Sequence, residues 1–216
     1  MRFRRGLLAV ALAASLNIVW AAEAQAATIV IPVSQWTYAN SQNFNTTTTD
    51  SFVAAGDPSP AATVVRAGND TTGNLYRGFM RFQLAPVVTG QIQSVSLVGR
   101  VDHTWACSPR PNYFYRTAAI SASPRQAWPG PALQVPLGTV SLNANEAACA
   151  QPNMAFELSS ATLFNDVQAA VNAQLPAYYI GVSARDFGGA GEANQDRLMR
   201  YFLNDFRLQI VFEPAA

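Results

Sequence analysis

The stretch Tyr76-Arg77-Gly78-Phe79-Met80-Arg81-Phe82-Gln83-Leu84 decides the fold class of this 216-residue chain. Apolar residues alternate with polar ones along it, and only Phe79 breaks the alternation. Successive side chains of a β-strand point to opposite faces, so the pattern predicts a strand with one buried face and one polar face. The apolar positions are Tyr76, Met80, Phe82 and Leu84; the polar positions are Arg77, Arg81 and Gln83.

A second long strand follows a predicted turn at Pro86–Gly90 and runs from Ile92 to Trp105. One face would carry Val95, Leu97, Val101 and Trp105, and the other would carry Ser94, Ser96, Arg100 and Asp102. The C-terminal stretch Phe206–Phe212 alternates in the same way, which predicts a closing strand.

The remaining chain consists mostly of short apolar runs separated by Gly, Pro, Asn and Asp, as in an all-β sandwich. One helix is expected at Ala161–Gln174, capped by Ser159 or Ser160 and ended by Pro176. Further strands are predicted at Thr28–Trp36, Thr63–Ala67, Tyr113–Ser121, Gly138–Leu142, Met154–Leu158, Tyr178–Ala184 and Leu198–Leu203, with surface loops at Asn40–Pro60 and Phe187–Gln195.

The N-terminus reads as an export signal. Arg2, Arg4 and Arg5 precede an apolar run from Leu7 to Trp20, and Ala24-Gln25-Ala26 offers a small-x-small cleavage site. The run is shorter than the roughly 20 residues of a membrane-spanning helix, so cleavage is favoured over a membrane anchor. We therefore expect residues 1–26 to be a signal peptide and residues 27–216 to form one β-sandwich domain that is secreted, by either the general or the twin-arginine route.

The charge balance excludes several functions. Removal of residues 1–26 would leave 11 basic and 12 acidic residues, so we expect neither nucleic acid nor anionic membrane as a partner. Every basic residue is Arg, which excludes chemistry that requires a lysine, such as a Schiff base.

The two cysteines, Cys107 and Cys149, predict one disulfide in an exported protein. A metal site built from them is disfavoured, because His103 is the only histidine and no CxxC spacing occurs.

No pattern points to catalysis. His103 lies in the middle of a predicted strand, no GxSxG turn occurs, and the acidic residues lie mainly in turns. Gly68-Asn69-Asp70 and Asp186–Asp196 contain oxygen donors that could bind a structural Ca²⁺ ion, although neither segment has the residue spacing of a calcium-binding loop. We expect no cofactor beyond that and no enzyme activity.

Aromatic and arginine residues are the candidates for ligand binding. Trp128 and Tyr113 could stack on sugar rings, although most aromatic residues of a sandwich belong to its core. Arg77, Arg81 and Arg100 fall on polar strand faces, and Arg116 could join them. Such arginines could bind uronate carboxylates through paired hydrogen bonds, or could form an ordinary solvated face with ion pairs.

Three segments resemble a known signature. Tyr76–Leu84 with Gly90–Leu97, and the ending Asn204–Phe212, are similar to the DNRLRE-type modules of secreted bacterial proteins. The resemblance implies a jelly-roll β-sandwich that binds polysaccharide beside degradative or wall-associated enzymes. We therefore expect a secreted, non-catalytic module for polysaccharide, with a structural or adhesive surface protein and a polysaccharide-degrading enzyme as alternatives. The oligomeric state stays open.

Overall fold

The computed structural model describes residues 26–42, 53–54, 64–84, 91–120 and 127–213. The predicted signal peptide, the turn at Pro86–Gly90 and most of the Asn40–Pro60 loop therefore lie outside the described residues. The strands are β1 Ala27–Asn40, β2 Val53–Ala54, β3 Val64–Asn69, β4 Leu75–Gln83, β5 Gln91–Thr104, β6 Arg110–Thr117, β7 Leu133–Leu142, β8 Met154–Leu158, β9 Ala177–Ser183, β10 Met199–Phe202 and β11 Arg207–Glu213. The helices are α1 Glu146–Cys149 and α2 Ala161–Asn172, with 3₁₀ turns at Gln195–Arg197 and Leu203–Asp205.

The strands form two antiparallel layers. In sheet A, the first half of β1 pairs with β11, and β11 pairs with β5. Strand β5 also pairs with β10 and with β8, and β10 pairs with β3. Sheet B runs in the order β1–β4–β9–β6–β7, with β2 on the free side of β1. The structure thus confirms the predicted all-β, jelly-roll-type sandwich with one short helix.

Two strands belong to both sheets. Ala27–Pro32 of β1 pairs with β11 in sheet A, and after a register shift at Val33–Gln35 the rest of β1 pairs with β4 in sheet B. Similarly, β3 pairs with β10 through residues 64–67 and with β4 through Gly68 and Asn69. The two layers are therefore continuous with each other along two strands, which gives the sandwich a barrel-like closure.

The alternation read from the sequence describes the core correctly. The predicted inward residues Met80, Phe82, Leu97 and Ile210 are all buried, and they belong to one apolar cluster shared by both sheets. Burying such side chains contributes roughly 1.5–3 kcal/mol each. The largest fully buried rings are those of Trp36, Tyr201, Phe79, Phe82, Phe114 and Phe206.

Helix α2 begins where the sequence predicts. The hydroxyl of Ser160 accepts a hydrogen bond from the Leu163 N–H at 3.0 Å, which caps the first turn. Leu163, Val167 and Ala170 face the core, so one stripe of the helix completes the apolar cluster.

Phe79 and Trp105 are apolar side chains that depart from the simple pattern. Phe79 is fully buried although it lies on the polar face of β4, because Gly130 packs directly on its ring. A Cβ at Gly130 would lie 2.5 Å from the Phe79 ring, and its φ of +83° also favours glycine. Trp105, predicted on the buried face of β5, is 46% exposed, since β5 ends at Thr104.

The predicted disulfide is present. Cys107 follows β5 and Cys149 ends α1, with their Cα atoms 5.6 Å apart. Asn145 fixes the same region, because its backbone oxygen accepts from the Cys149 N–H at 2.9 Å and its side chain donates to the Trp105 oxygen at 3.3 Å. The disulfide therefore joins the end of β5 to the connection between β7 and β8.

Candidate functional site

A cleft lies over the outer face of sheet B, between the first residues of β7 and the loop that follows β9. We call it the loop cleft. Its volume is about 370 Å³, within the size range of small-ligand sites. One wall comes from strand β7, and the other comes from the irregular loop that β9 carries, a common position for binding residues. The residues used below that line it are Arg77, Tyr115, Gln134, Arg185, Asp186 and Phe187.

The floor of the loop cleft contains a buried ion pair. Arg77 donates from Nε and Nη2 to the two carboxylate oxygens of Glu192, at 2.5 and 2.7 Å. The two side chains are only 7% and 12% exposed. The guanidinium carbon of Arg77 also lies 4.7 Å from the centre of the Trp128 ring, a cation–π contact. Arg77 is therefore fully engaged with protein groups and joins the loop after β9 to the segment that precedes β7.

The backbone of Arg185 is held on both sides. Its N–H donates to the Ser183 hydroxyl at 3.0 Å, and that hydroxyl in turn donates to Glu192 at 2.9 Å. Its carbonyl accepts from the Tyr115 hydroxyl at 2.6 Å. Burial raises the pKa of Tyr115 to about 12, so the hydroxyl stays protonated and able to donate. The network fixes the point from which the Arg185 side chain leaves the loop.

The Arg185 side chain itself is exposed and makes no ion pair or hydrogen bond with the residues that the structure describes. It lines the cleft beside Asp186, whose carboxylate accepts from the Ala190 N–H at 2.8 Å. Because a guanidinium can donate two parallel hydrogen bonds to two oxygens of one anion, Arg185 can bind a carboxylate or a sulfate group.

Phe187 supplies the exposed apolar surface of the cleft. It is 46% exposed, and its ring contacts Tyr113 at 5.1 Å and Tyr115 at 5.3 Å between centroids. The interplanar angles of 75° and 83° are edge contacts, so the three rings do not form one flat platform. A sugar ring could stack on Phe187 alone, with Tyr113 supporting it from the side.

The structure brings three of the six predicted binding residues to this region and separates the others. Arg77 lines the loop cleft, whereas Trp128 and Tyr113 lie behind its lining, in contact with Arg77 and Phe187 respectively. The remaining three each have a partner elsewhere: Arg81 donates to the Ser34 hydroxyl at 3.1 Å, Arg116 pairs with Asp166 at 2.9 Å, and Arg100 in sheet A pairs with Asp205 at 2.7 Å. The arginines therefore do not form a single row.

Sequence reasoning missed Arg185, Phe187 and Glu192. All three lie in or beside the predicted Phe187–Gln195 loop, where glycines dominate and no periodicity separates binding residues from spacers. One signal was available, because an aromatic and an arginine within a glycine-rich loop are residue types enriched at binding sites.

Most acidic side chains of the described residues form ion pairs with arginines or accept hydrogen bonds within turns. Asp102, Asp166, Asp196, Asp205 and Glu192 each pair with an arginine. Asp70 accepts from Thr72 and Asn74, closing a turn. Within the described ranges, no three His, Cys, Asp or Glu side chains lie close enough together to hold a metal ion.

Neither helix of the described part of the chain has the length and apolar character that a bilayer crossing requires. No protein-family model matches the sequence. No curated protein matches it either.

Proposed function

We propose that the mature chain is a secreted, non-catalytic module that binds polysaccharide in the loop cleft, with a preference for acidic sugars. The observation that carries the proposal is the proximity of an exposed ring, Phe187, to a cation, Arg185, that pairs with no acidic side chain among the described residues, on one preorganised loop. Stacking on the ring would supply affinity, and the guanidinium would select a uronate carboxylate.

Preorganisation supports a binding role for the loop. Ser183 and Tyr115 fix the backbone of Arg185, and the Arg77–Glu192 pair fastens the end of the same loop to sheet B. A loop that is already ordered loses less conformational entropy when a flexible polysaccharide binds. The predicted signal peptide and the disulfide support export, because disulfides persist in oxidising compartments. The DNRLRE-type resemblance supports the same function from the sequence side.

The test begins with a glycan array that contains plant, algal and bacterial polysaccharides, probed with the purified mature protein. Calorimetric titration then compares oligogalacturonate with a neutral oligosaccharide of equal length. We expect the acidic oligosaccharide to bind at least about tenfold more tightly, equivalent to about 1.4 kcal/mol. Absence of binding to every polysaccharide would remove the proposal and favour the structural or adhesive alternative.

Matched variants locate the site. Phe187→Ala should weaken binding to any bound glycan, whereas Trp105→Ala, which removes an equally exposed ring outside the cleft, should not. Arg185→Gln should abolish the preference for the acidic sugar, whereas Arg66→Gln should leave it unchanged, because Arg66 is exposed and contacts Tyr76 away from the cleft. Binding in the loop cleft would be contradicted if Phe187→Ala and Trp105→Ala lost the same affinity, or if Arg185→Gln and Arg66→Gln lost the same preference for the acidic sugar.

A further inference from the structure

A second cavity lies at the C-terminal end of α2, where the chain turns into β9. We call it the end pocket. Its volume is about 410 Å³, and α2, β6, β7 and β9 all contribute to its walls. Gln134 lines both this pocket and the loop cleft, so the two cavities are neighbours on the molecule. The lining residues that carry the argument are Arg116, Asp166, Ala169, Leu175, Tyr178 and Tyr179.

One side of the end pocket is polar and ordered. Asp166 accepts from Arg116 Nη1 at 2.9 Å and from the Tyr178 hydroxyl at 2.6 Å. Burial, followed by the hydrogen bond to Asp166, raises the pKa of Tyr178 far above its ordinary value, so the hydroxyl remains a donor. Asp166 is therefore satisfied by two donors, and its charge is balanced by Arg116.

Arg116 keeps one unused donor. Its Nη2 atom makes no hydrogen bond with any described residue, and its side chain is 39% exposed at the pocket. Its Nε atom, in contrast, is buried without a hydrogen-bond partner and is closed to a ligand. A carboxylate bound at Nη2 would gain one charge-assisted hydrogen bond.

The opposite side is apolar. Leu175 is 47% exposed at the pocket, next to Ala169, Pro176 and Ala177. Leu175 is held in place by its own N–H, which donates to the Ala170 carbonyl at 3.0 Å. An exposed leucine beside a cavity gains free energy when an apolar ring covers it.

We propose that the end pocket binds a small organic anion that has one aromatic or alicyclic ring and one carboxylate. The carboxylate would accept from Arg116 Nη2, and the ring would lie against Leu175 and the small residues of the α2–β9 turn. A compact ring acid fits the volume, and the charge-assisted hydrogen bond from Nη2 favours the acid over its neutral analogue. This site is separate from the loop cleft and does not depend on polysaccharide binding.

The experiment titrates isotope-labelled mature protein with phenylacetate and with phenylacetamide, followed by NMR. With phenylacetate we expect saturable shifts of the Arg116 NεH signal and of the Leu175 and Ala177 amides, with a Kd of roughly 1 mM. The amide, which lacks the charge, should bind at least about tenfold more weakly. Absence of shifts at these positions with phenylacetate, or equal affinities for the two compounds, would overturn the proposal.

Two variants on exposed positions of α2 complete the test without touching the core. Ala169→Trp should fill the pocket and abolish the phenylacetate shifts, whereas Asn165→Trp adds the same ring at a position that does not line the pocket and should preserve them. Unchanged binding by Ala169→Trp would contradict the site. Phe187→Ala should leave phenylacetate binding intact, so a failure of polysaccharide binding and a failure of this site remain distinguishable.

Discussion

Arg77 occupies a polar position of β4, and the alternation of the strand predicts that such a position faces solvent. Its side chain is instead only 7% exposed, because Glu192 and Trp128 lie against it. The strand pattern identifies the face on which Arg77 lies, but the partners come from segments far along the chain. Their arrival above the outer face of sheet B depends on two loops whose sequences have no periodicity.

The buried pair gives the first prediction. Arg77→Ala should lower the free energy of unfolding by about 3 kcal/mol or more, because it leaves the Glu192 carboxylate buried without its partner. The matched control is Arg110→Ala, whose pair with Asp196 is 39% and 49% exposed and should contribute no more than about 1 kcal/mol. Urea denaturation measures the free energy of unfolding of both variants. Losses of similar size would show that the buried Arg77–Glu192 pair contributes no more than the exposed Arg110–Asp196 pair.

His103 gives the second prediction, on pH. Burial, followed by the nearby Arg200 cation, lowers the pKa of His103, with Asp102 opposing the shift. The unfolded chain therefore takes up the proton first, and the stability supplied by the neutral imidazole is complete above about pH 6.5 and is lost as the pH falls below that value.

His103 is the only histidine, so one variant isolates its effect. The melting temperature of the wild type should fall between pH 7.5 and pH 5.5 more steeply than that of His103→Gln. Parallel curves for the two proteins would assign the pH dependence to the carboxylates instead.

At the scale of elements, sequence patterns predicted the strand and helix bounds that depend on interactions between neighbouring residues. Strand β8 has the predicted bounds Met154–Leu158, and α2 begins at the predicted residue Ala161. The patterns were less accurate at strand ends: β7 begins at Leu133 rather than Gly138, because backbone pairing with β6 extends beyond the alternating residues. The short elements α1 and β2 were not predicted, since two to four residues carry no periodicity.

The cap of α2 gives the third prediction. Ser160→Ala should destabilise the protein by about 1 kcal/mol, because the Leu163 N–H loses its acceptor. The same hydroxyl donates to the Leu137 carbonyl of β7, so the loss falls on the contact between helix and sheet as well. Ser159→Ala is the matched control, since the Ser159 side chain is exposed and, among the described residues, hydrogen-bonds to Glu157 alone. Thermal unfolding of both variants measures the difference, and equal stabilities of Ser160→Ala and Ser159→Ala would contradict a capping role for Ser160.

At the scale of the whole molecule, the sandwich and its core followed from the sequence, because the side-chain alternation of each strand records which face is buried. The order of the strands within the sheets did not follow, since pairing between distant segments leaves no mark in a single sequence. The loop cleft was missed for the same reason: Arg77, Tyr115 and Arg185 meet only after β4, β6 and β9 have been placed side by side.

The disulfide gives the fourth prediction. Cys107 and Cys149 are separated by 42 positions, and closing such a loop stabilises the folded state by about 4 kcal/mol through the entropy of the unfolded chain. A variant with both Cys107→Ser and Cys149→Ser should lose about that amount in chemical denaturation. Adding a reductant should destabilise the wild type to the same level and leave the variant unchanged; an insensitive wild type would contradict the prediction.

The passage of β1 and β3 from one sheet into the other has a mechanical consequence. In a sandwich whose layers touch only through side chains, the layers can slide or hinge apart while each keeps its own ladder. Here any such displacement would have to stretch peptide hydrogen bonds within β1 and β3, which are attached to both layers. The molecule should therefore resist shear as a single rigid shell, because neither layer can move without breaking the other's ladder.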